Sequence, residues 1–285
     1  MENAGPETAP ETFTAAEEST KMNIAVCLKP VPDPRHYGKL TINPETKLLE
    51  RGVAPMVINP ADRHAVETAL RLKEQHGGKV VLVSMAPPEA GTTLKEGLAM
   101  GADEAYLLSD RAFAGSDTLA TARVLTAGLK KIGSFDLILA GSASADSGTS
   151  HMPSQLGELL GLPHLNCLID LSLESSILKM KAKTEYGYVE YEGCLPMVLG
   201  VAREINKPRY ISLMGIVAAG NKPLITWSLH DLGLSPDDAG LAGSPTRPGE
   251  LHRPEHRRKV QMLEGGAGDA AVEILAILRA AGVLS

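Results

Sequence analysis

The chain has 285 residues, a formal net charge of -6, 44% hydrophobic residues and 22% charged ones. That balance fits a globular protein with a sizeable core. It argues against broad nucleic-acid binding, because the cationic residues are scattered and no aromatic residues interleave with them as a stacking platform requires. No apolar run is long enough to span a bilayer. The three cysteines, Cys27, Cys167 and Cys194, lie far apart without a CxxC pair, which suits a reducing compartment and excludes a disulfide or zinc-ribbon framework.

Residues 1–21 carry Glu2, Glu7, Glu11, Glu17 and Glu18 among Ala, Thr and Pro, a composition predicted to remain a disordered acidic extension. The stretch has no basic n-region, no apolar h-region and no Arg-rich amphipathic character. Cytoplasm is the expected location.

Regular structure is predicted from Asn23 to Leu28, a buried strand, followed by a loop with Pro30, Pro32 and Pro34. Asn59-Pro60-Ala61-Asp62 marks a helix start, with Ala65, Val66, Ala69 and Leu72 at helical spacing and a stop at Gly77-Gly78. A strand over 80–85, a helix from Pro87-Pro88 to Gly101, a strand over 104–108 and a helix over 117–132 follow. Asp136 to Gly141 reads as another buried strand, and 153–161 as a short helix. Continuous apolar strands alternating with amphipathic helices predict an α/β fold: a parallel-core sheet with helices on both faces. Segments 165–173, 177–183, 186–192 and 197–203 then follow without helices, an antiparallel or mixed extension of the same sheet. The core pattern thins from about 220. Residues 22–220 therefore read as one α/β domain and 221–285 as a C-terminal arm ending in an amphipathic helix over 268–281. Ala271, Leu275 and Leu278 share one face of that helix. It packs either on another subunit or back on its own domain.

In such a sheet, ligands sit outside the C-terminal ends of the strands. The loops there are 29–33, 84–88, 110–118 and 141–154. The third runs Asp110 to Thr118 and contains Gly115 before a helix. It offers either unpaired N–H groups to an anion or only a βα turn capped by Ser116 or Asp117. The fourth, Gly141 to His151, is rich in small residues and hydroxyls and precedes a helix, a good phosphate cradle. There is no Gly-x-Gly-x-x-Gly after the first strand and no Walker A motif, so a standard dinucleotide dehydrogenase or P-loop enzyme is not expected. No metal-ligand spacing, Ser-His-Asp constellation or paired carboxylates are present, and no catalytic residue or metal site is assigned.

Several ordered stretches carry a resemblance: Cys27-Leu28-Lys29-Pro30-Val31-Pro32-Asp33, Ile58-Asn59-Pro60, Ala65 to Lys73, Val83-Ser84-Met85-Ala86-Pro87-Pro88, Ala99-Met100-Gly101-Ala102-Asp103, Asp136 to Gly141, Leu195-Pro196, and Asn206-Lys207-Pro208-Arg209-Tyr210-Ile211-Ser212-Leu213. Over residues 22–285 the chain resembles the beta subunits of electron transfer flavoproteins. The resemblance implies an adenine-nucleotide-binding, Rossmann-like domain and a heterodimer with an alpha subunit that carries FAD. In simple electron carriers of the family the beta subunit holds a structural AMP. In the bifurcating branch the same pocket holds a second FAD that takes a hydride from NADH, one electron going to a high-potential acceptor and one to ferredoxin or flavodoxin.

Two features resemble the bifurcating branch: the NADH-side loop, Phe113, Ala114, Gly115, Ser116, Asp117 and Thr118, and the arm from Gly240 to Arg247 with the terminal helix. By the same resemblance, the nucleotide pocket uses Cys27, Lys29, Asn59, Met85 and the loop of Asp146, Ser147, Gly148, Thr149, Ser150, His151 and Met152. For each residue an ordinary alternative stands: a solvated Lys29, a small buried Cys27, core-filling by Met85 and helix capping by Asn59. The loop departs from the family's usual Asp-Gly-Asp-Thr-Ala-Gln-Val-Gly, with Gly148 at the second acidic position and His151 for Gln, which removes repulsion near a diphosphate. Leu213 matches the family's docking leucine toward an acyl-CoA dehydrogenase, or is instead a helix core residue. Ala218 to Lys222 lacks the lysine-rich run common in the family. A quinone oxidoreductase is a further expected acceptor on the alpha side, and the chain itself does not span a membrane. A nucleotide-binding sensor or scaffold is the alternative of another class.

Overall fold

The structure, a computed structural model, describes residues 21–39, 41–42, 49–50, 54–174, 176–247, 249 and 260–284. The expected disorder of the N-terminal extension falls almost wholly outside these residues, as does the basic run Arg253–Lys259. The chain divides into two compact units, Met1–Gly249 and Glu250–Ser285.

The first unit is built on a nine-stranded sheet. Its strands are β1 (Met22–Cys27), β6 (Gly78–Met85), β7 (Glu104–Leu108), β8 (Leu137–Gly141), β9 (His164–Glu174), β10 (Ile177–Thr184), β11 (Gly187–Cys194), β12 (Met197–Val201) and β13 (Leu224–Trp227). They lie in the order β11-β10-β9-β12-β8-β1-β6-β7-β13. Pairings from β9 through β13 are parallel, while β9-β10-β11 is an antiparallel meander. Short strands β2 (Pro30–Pro32) and β5 (Met56–Ile58) pair beside the first loop, and β3 (Thr41–Ile42) pairs with β4 (Leu49–Glu50).

Helices α1 (Pro60–His76) and α2 (Gly91–Met100) cover one face of the sheet, and α3 (Thr118–Ile132) and α4 (Met152–Leu160) the other. Alternate residues of the central strands feed the two cores. Ile24, Val26, Val80, Leu82, Leu137 and Leu139 face α1 and α2, whereas Ala25, Val81, Val83 and Ile138 face α3 and α4. Fully buried Leu82 and Leu139 each contribute on the scale of a core leucine, about 2–5 kcal/mol lost on truncation to Ala. α1 starts where Pro60 fixes the first turn, and Asp117 caps α3 by accepting from Ala120 N at 2.9 Å.

Chain order reverses at β1. The connection through α1 leads to β6 on one side, and the return through α3 leads to β8 on the other. The crevice at the C-terminal ends of β1 and β8 is thus the switch point where ligands sit in folds of this kind.

The sequence reading begins the arm at 221. In the structure Leu224 to Trp227 closes the sheet edge against Ala105 to Leu108, and the first unit runs on to Gly249. A short helix, α5 (Leu213–Ala219), precedes β13, and α6 (Gly240–Gly243) follows it. The second unit contains α7 (Ala267–Ala280), none of whose residues is buried. Among the described residues no helix is long and apolar enough to cross a membrane.

Candidate functional site

The switch-point crevice is organised by one buried carboxylate. Asp62, in the first turn of α1, accepts from the backbone N–H of Lys29 (2.6 Å) and of Gly141 (2.9 Å), and from Asn59 Nδ2 (3.0 Å). Three segments that start far apart in sequence are thereby tied together: the loop after β1, the entry of α1 and the end of β8. Asn59 extends the tie. Its Nδ2 donates to Ala143 O and its Oδ1 accepts from Ala145 N, both at 3.0 Å. Asn59 is at the N-cap position of α1 but makes no side-chain cap, so the capping alternative does not hold. Burial pushes the Asp62 carboxyl up to about 6, against the pull of its three donors. The sequence reading used Asp62 only as a helix-start signal and missed its role. A carboxylate three residues after an Asn, in the first turn of a helix that opens on Pro60-Ala61, was the available clue.

The expected pocket residues divide by environment. Cys27 is buried in the core, and burial, aided by the charge of Asp62, pushes its thiol up to about 12, which leaves it a small, unreactive buried side chain. Lys29 Nζ is paired with the buried carboxylate of Asp146, Oδ1 at 2.6 Å, and keeps 40% of its own side chain exposed. Met85 is half-buried against the same core as Cys27. Ser147, Gly148, Thr149, Ser150 and His151 are exposed, and Met152 opens α4. His151 makes no side-chain cap on α4, whose first turn offers the N–H groups of Met152 and Ser154 but none at Pro153, beside the exposed Ser147, Thr149 and Ser150. Ser144 and Ser147 share a hydroxyl–hydroxyl hydrogen bond of 2.6 Å across the turn.

The 110–118 loop is built differently. Asp117 fills the N-terminus of α3 with its own carboxylate, so this junction is a capped turn and not an open anion site. Ser116 and Asp117 also tie the loop to the segment around α6. Asp117 Oδ2 accepts from Thr246 N (3.0 Å) and Thr246 Oγ1 (2.7 Å), and Asp117 N donates to Ser244 Oγ at 2.8 Å. Ser116 Oγ donates to Phe113 O and accepts from Gly240 N, each at 2.8 Å. Phe113 is buried, while Ala114 and Gly115 are exposed. Gly115 has φ +79, and a Cβ there would come within 2.6 Å of Leu241 Cγ, so the turn and the arm fit only with glycine at this point. Thr118 Oγ1 accepts from Gln155 Nε2 at 3.2 Å, which joins this loop to the helix that follows the cradle.

Leu213 stands apart from both clusters. It begins α5, which packs on α2, and Lys222 Nζ reaches back to Leu98 O (3.0 Å) and Ala102 O (2.6 Å) at the C-terminus of α2. That position is beside the start of β7, at the end of the sheet opposite the crevice. Leu213 is 81% exposed, with Tyr210, Met214, Ile216 and Val217 exposed around it, so it is not a core residue. Among the described residues no group of His, Cys, Asp and Glu could hold a metal ion.

Fold and crevice together define a doubly wound α/β protein whose switch-point loops are cross-tied by buried polar groups. Residues 47–232 match the family model described as the electron transfer flavoprotein domain. The chain is 40% identical over 245 residues to the caffeyl-CoA reductase-Etf complex subunit CarD of Acetobacterium woodii, covering 86% of this chain and 92% of that one. It is 37% identical over 258 residues to the electron transfer flavoprotein subunit beta of Clostridium acetobutylicum (90% and 98% covered). It is 35% identical over 251 residues to an acryloyl-CoA reductase electron transfer subunit gamma of Anaerotignum propionicum (86% and 93% covered). The chain belongs to the electron transfer flavoprotein family, among its beta subunits.

Proposed function

We propose that the chain holds FAD in the crevice between β1 and β8 and serves as the NADH-oxidising beta subunit of a bifurcating electron transfer flavoprotein. The observation that carries this reading is the pairing of the 113–118 loop with Gly240–Thr246. It engages the polar groups of Ser116 and Asp117 and leaves Ala114, Gly115 and Leu241 as an exposed, uncharged wall. Such a wall suits contact with ring faces, whereas a structural AMP needs only the cradle.

The donor set of the cradle fits a dinucleotide. Exposed hydroxyls, the uncapped first turn of α4 and the ammonium of Lys29 suit an anionic diphosphate. Asp146 fixes the position of Lys29 and offsets part of its charge. Gly148, at a position where the family commonly has an acid, removes a repulsion. Asn59 and Asp62 hold the two loops in register, Cys27 closes the wall, and Met85 offers an apolar contact. A flavin bound there would supply hydride acceptance from NADH and release of electrons one at a time.

Onward acceptors in this reading are the FAD of an alpha subunit, toward an acyl-CoA dehydrogenase or quinone-linked partner, and ferredoxin or flavodoxin. The names of two relatives, a caffeyl-CoA reductase-Etf subunit and an acryloyl-CoA reductase electron transfer subunit, support a partner that acts on CoA esters. Leu213 is the docking anchor for that partner, and the face of α7 that carries Ala271, Leu275 and Leu278 is this chain's contact with the alpha subunit. The complex works in the cytoplasm.

The test is co-expression with an alpha subunit, followed by a flavin count and NADH titration. Two flavins per heterodimer and bleaching by NADH are expected. AMP with a single flavin, and no reaction with NADH, would identify a simple electron carrier instead. A stable lone chain without flavin would identify a nucleotide-binding sensor or scaffold.

A further inference from the structure

The geometry points to Asn166 as the positioning residue that sets the shape of the 142–151 loop; this rests on the reading of that loop as the nucleotide cradle. Asn166 is the third residue of β9 and its side chain reaches both stems of the loop. Nδ2 donates to Ser142 O at 3.4 Å and to Ser150 O at 3.1 Å, and Oδ1 accepts from Cys167 N at 2.8 Å. The amide orientation follows from these partners, because the reverse would set Oδ1 against two carbonyl oxygens.

Three backbone features support the assignment. Cys167 has φ +62 and Ser150 φ +57, a region that residues with a side chain enter only when their surroundings hold them. The pairing of β12 with β9 slips in register between Leu199 and Val201, opposite Asn166 and Cys167. A bulge of this kind re-aims one side chain out of the alternation of the strand. The residue facing it is Gly200, where a Cβ would land on Asn166 Oδ1 and come within 2.7 Å of Pro153 Cγ in the first turn of α4. β9 therefore carries a kink at 166–167 and β12 a bare position at 200, and together they let one amide clamp the loop at its beginning and its end.

Two substitutions in the full heterodimer separate this role from simple support of β9. Asn166→Asp keeps the acceptor for Cys167 N and the side-chain size, but opposes a carboxylate to the carbonyls of Ser142 and Ser150. Gly200→Ala leaves Asn166 unaltered and displaces it sterically. Both are expected to speed amide hydrogen exchange across 142–151 while exchange in the rest of β9 and in β12 stays at the wild-type rate. Both are also expected to weaken binding of added AMP or FAD by about tenfold. Wild-type exchange at 142–151 together with wild-type AMP and FAD affinity in the Asn166→Asp protein would overturn the assignment, as would a loosening that spreads through β9 and β12. If the wild-type complex binds neither AMP nor FAD in this crevice, the cradle reading fails. The exchange rates then decide on their own whether Asn166 clamps the loop.

Discussion

Gly141 lies against Asp62. Its N–H donates to Asp62 Oδ1 at 2.9 Å, and a Cβ at position 141 would land on that same oxygen. The last residue of β8 and the first turn of α1 are thus in contact through one carboxylate, with Lys29 on its other oxygen. The register of the two loops that flank the crevice is set here.

The same carboxylate gives the fold a pH dependence. Asp62 titrates at 3.8 without the fold's influence and at about 6 in the folded chain, where burial is the main cause. Across that window the native state binds more protons than the unfolded one, so stability falls as pH rises and the penalty is complete above about 6. The difference between the folded and unfolded values amounts to about 3 kcal/mol. Asp62→Asn is expected to flatten the dependence of Tm on pH between about 4 and about 6. A slope as steep as that of the wild type would assign the titration to another group.

Asp117 does two jobs that a single substitution can separate. Asn retains an oxygen to cap Ala120 N but turns an NH2 toward the donors of Thr246. Asp117→Asn is expected to leave α3 within about 1 kcal/mol of wild-type stability, since Asn is a good cap. It should also speed amide hydrogen exchange across 240–247, Thr246 above all, because the segment behind α6 loses its anchor. Asp117→Ala should show the faster exchange and lose about a further 1 kcal/mol in denaturant unfolding. Equal exchange rates in all three proteins would mean that the anchor lies elsewhere.

Gly115→Ala places a methyl group 2.6 Å from Leu241 Cγ in a backbone conformation that disfavours a side chain. The expected result is slower bleaching by NADH with unchanged nucleotide content, because the wall moves and the cradle does not. Leu241→Ala in the same protein should recover part of the rate. Loss of the nucleotide itself in Gly115→Ala would show that wall and cradle are not separable.

Leu213→Glu puts a charge at the most exposed large apolar residue of α5. An increase in KM for the dehydrogenase partner of about tenfold or more is expected, with flavin content and reduction by NADH unchanged. The kinetics of partner reduction at varied partner concentration provide the measurement. An unchanged KM would remove Leu213 from the docking surface.

Much of the core was legible in the chain because short continuous apolar runs such as Ile24 to Leu28 and Leu137 to Ala140, alternating with helix-patterned segments, read as strands covered on both faces. The cap at Asp117 was legible too, since it acts within three residues of itself. Leu224 to Trp227 was passed over because a four-residue strand has too few positions to show a period, and only its parallel partner β7 makes it a sheet edge. The exposure of Leu213 could not be read either, since an apolar residue at a helix start looks the same whether it faces a core or solvent.

By itself, the sequence determined the layered α/β core, the family and the segments that meet at the crevice, because periodicity, turn residues and ordered motifs are properties of neighbours along the chain. Only the tertiary structure decided how those segments are tied. Asp62 meets Gly141 across 79 positions, Lys29 meets Asp146 across 117, and Asp117 meets Thr246 across 129. A hydrogen bond depends on distance in space, and a polar side chain carries no mark of a partner that only folding brings within 3 Å.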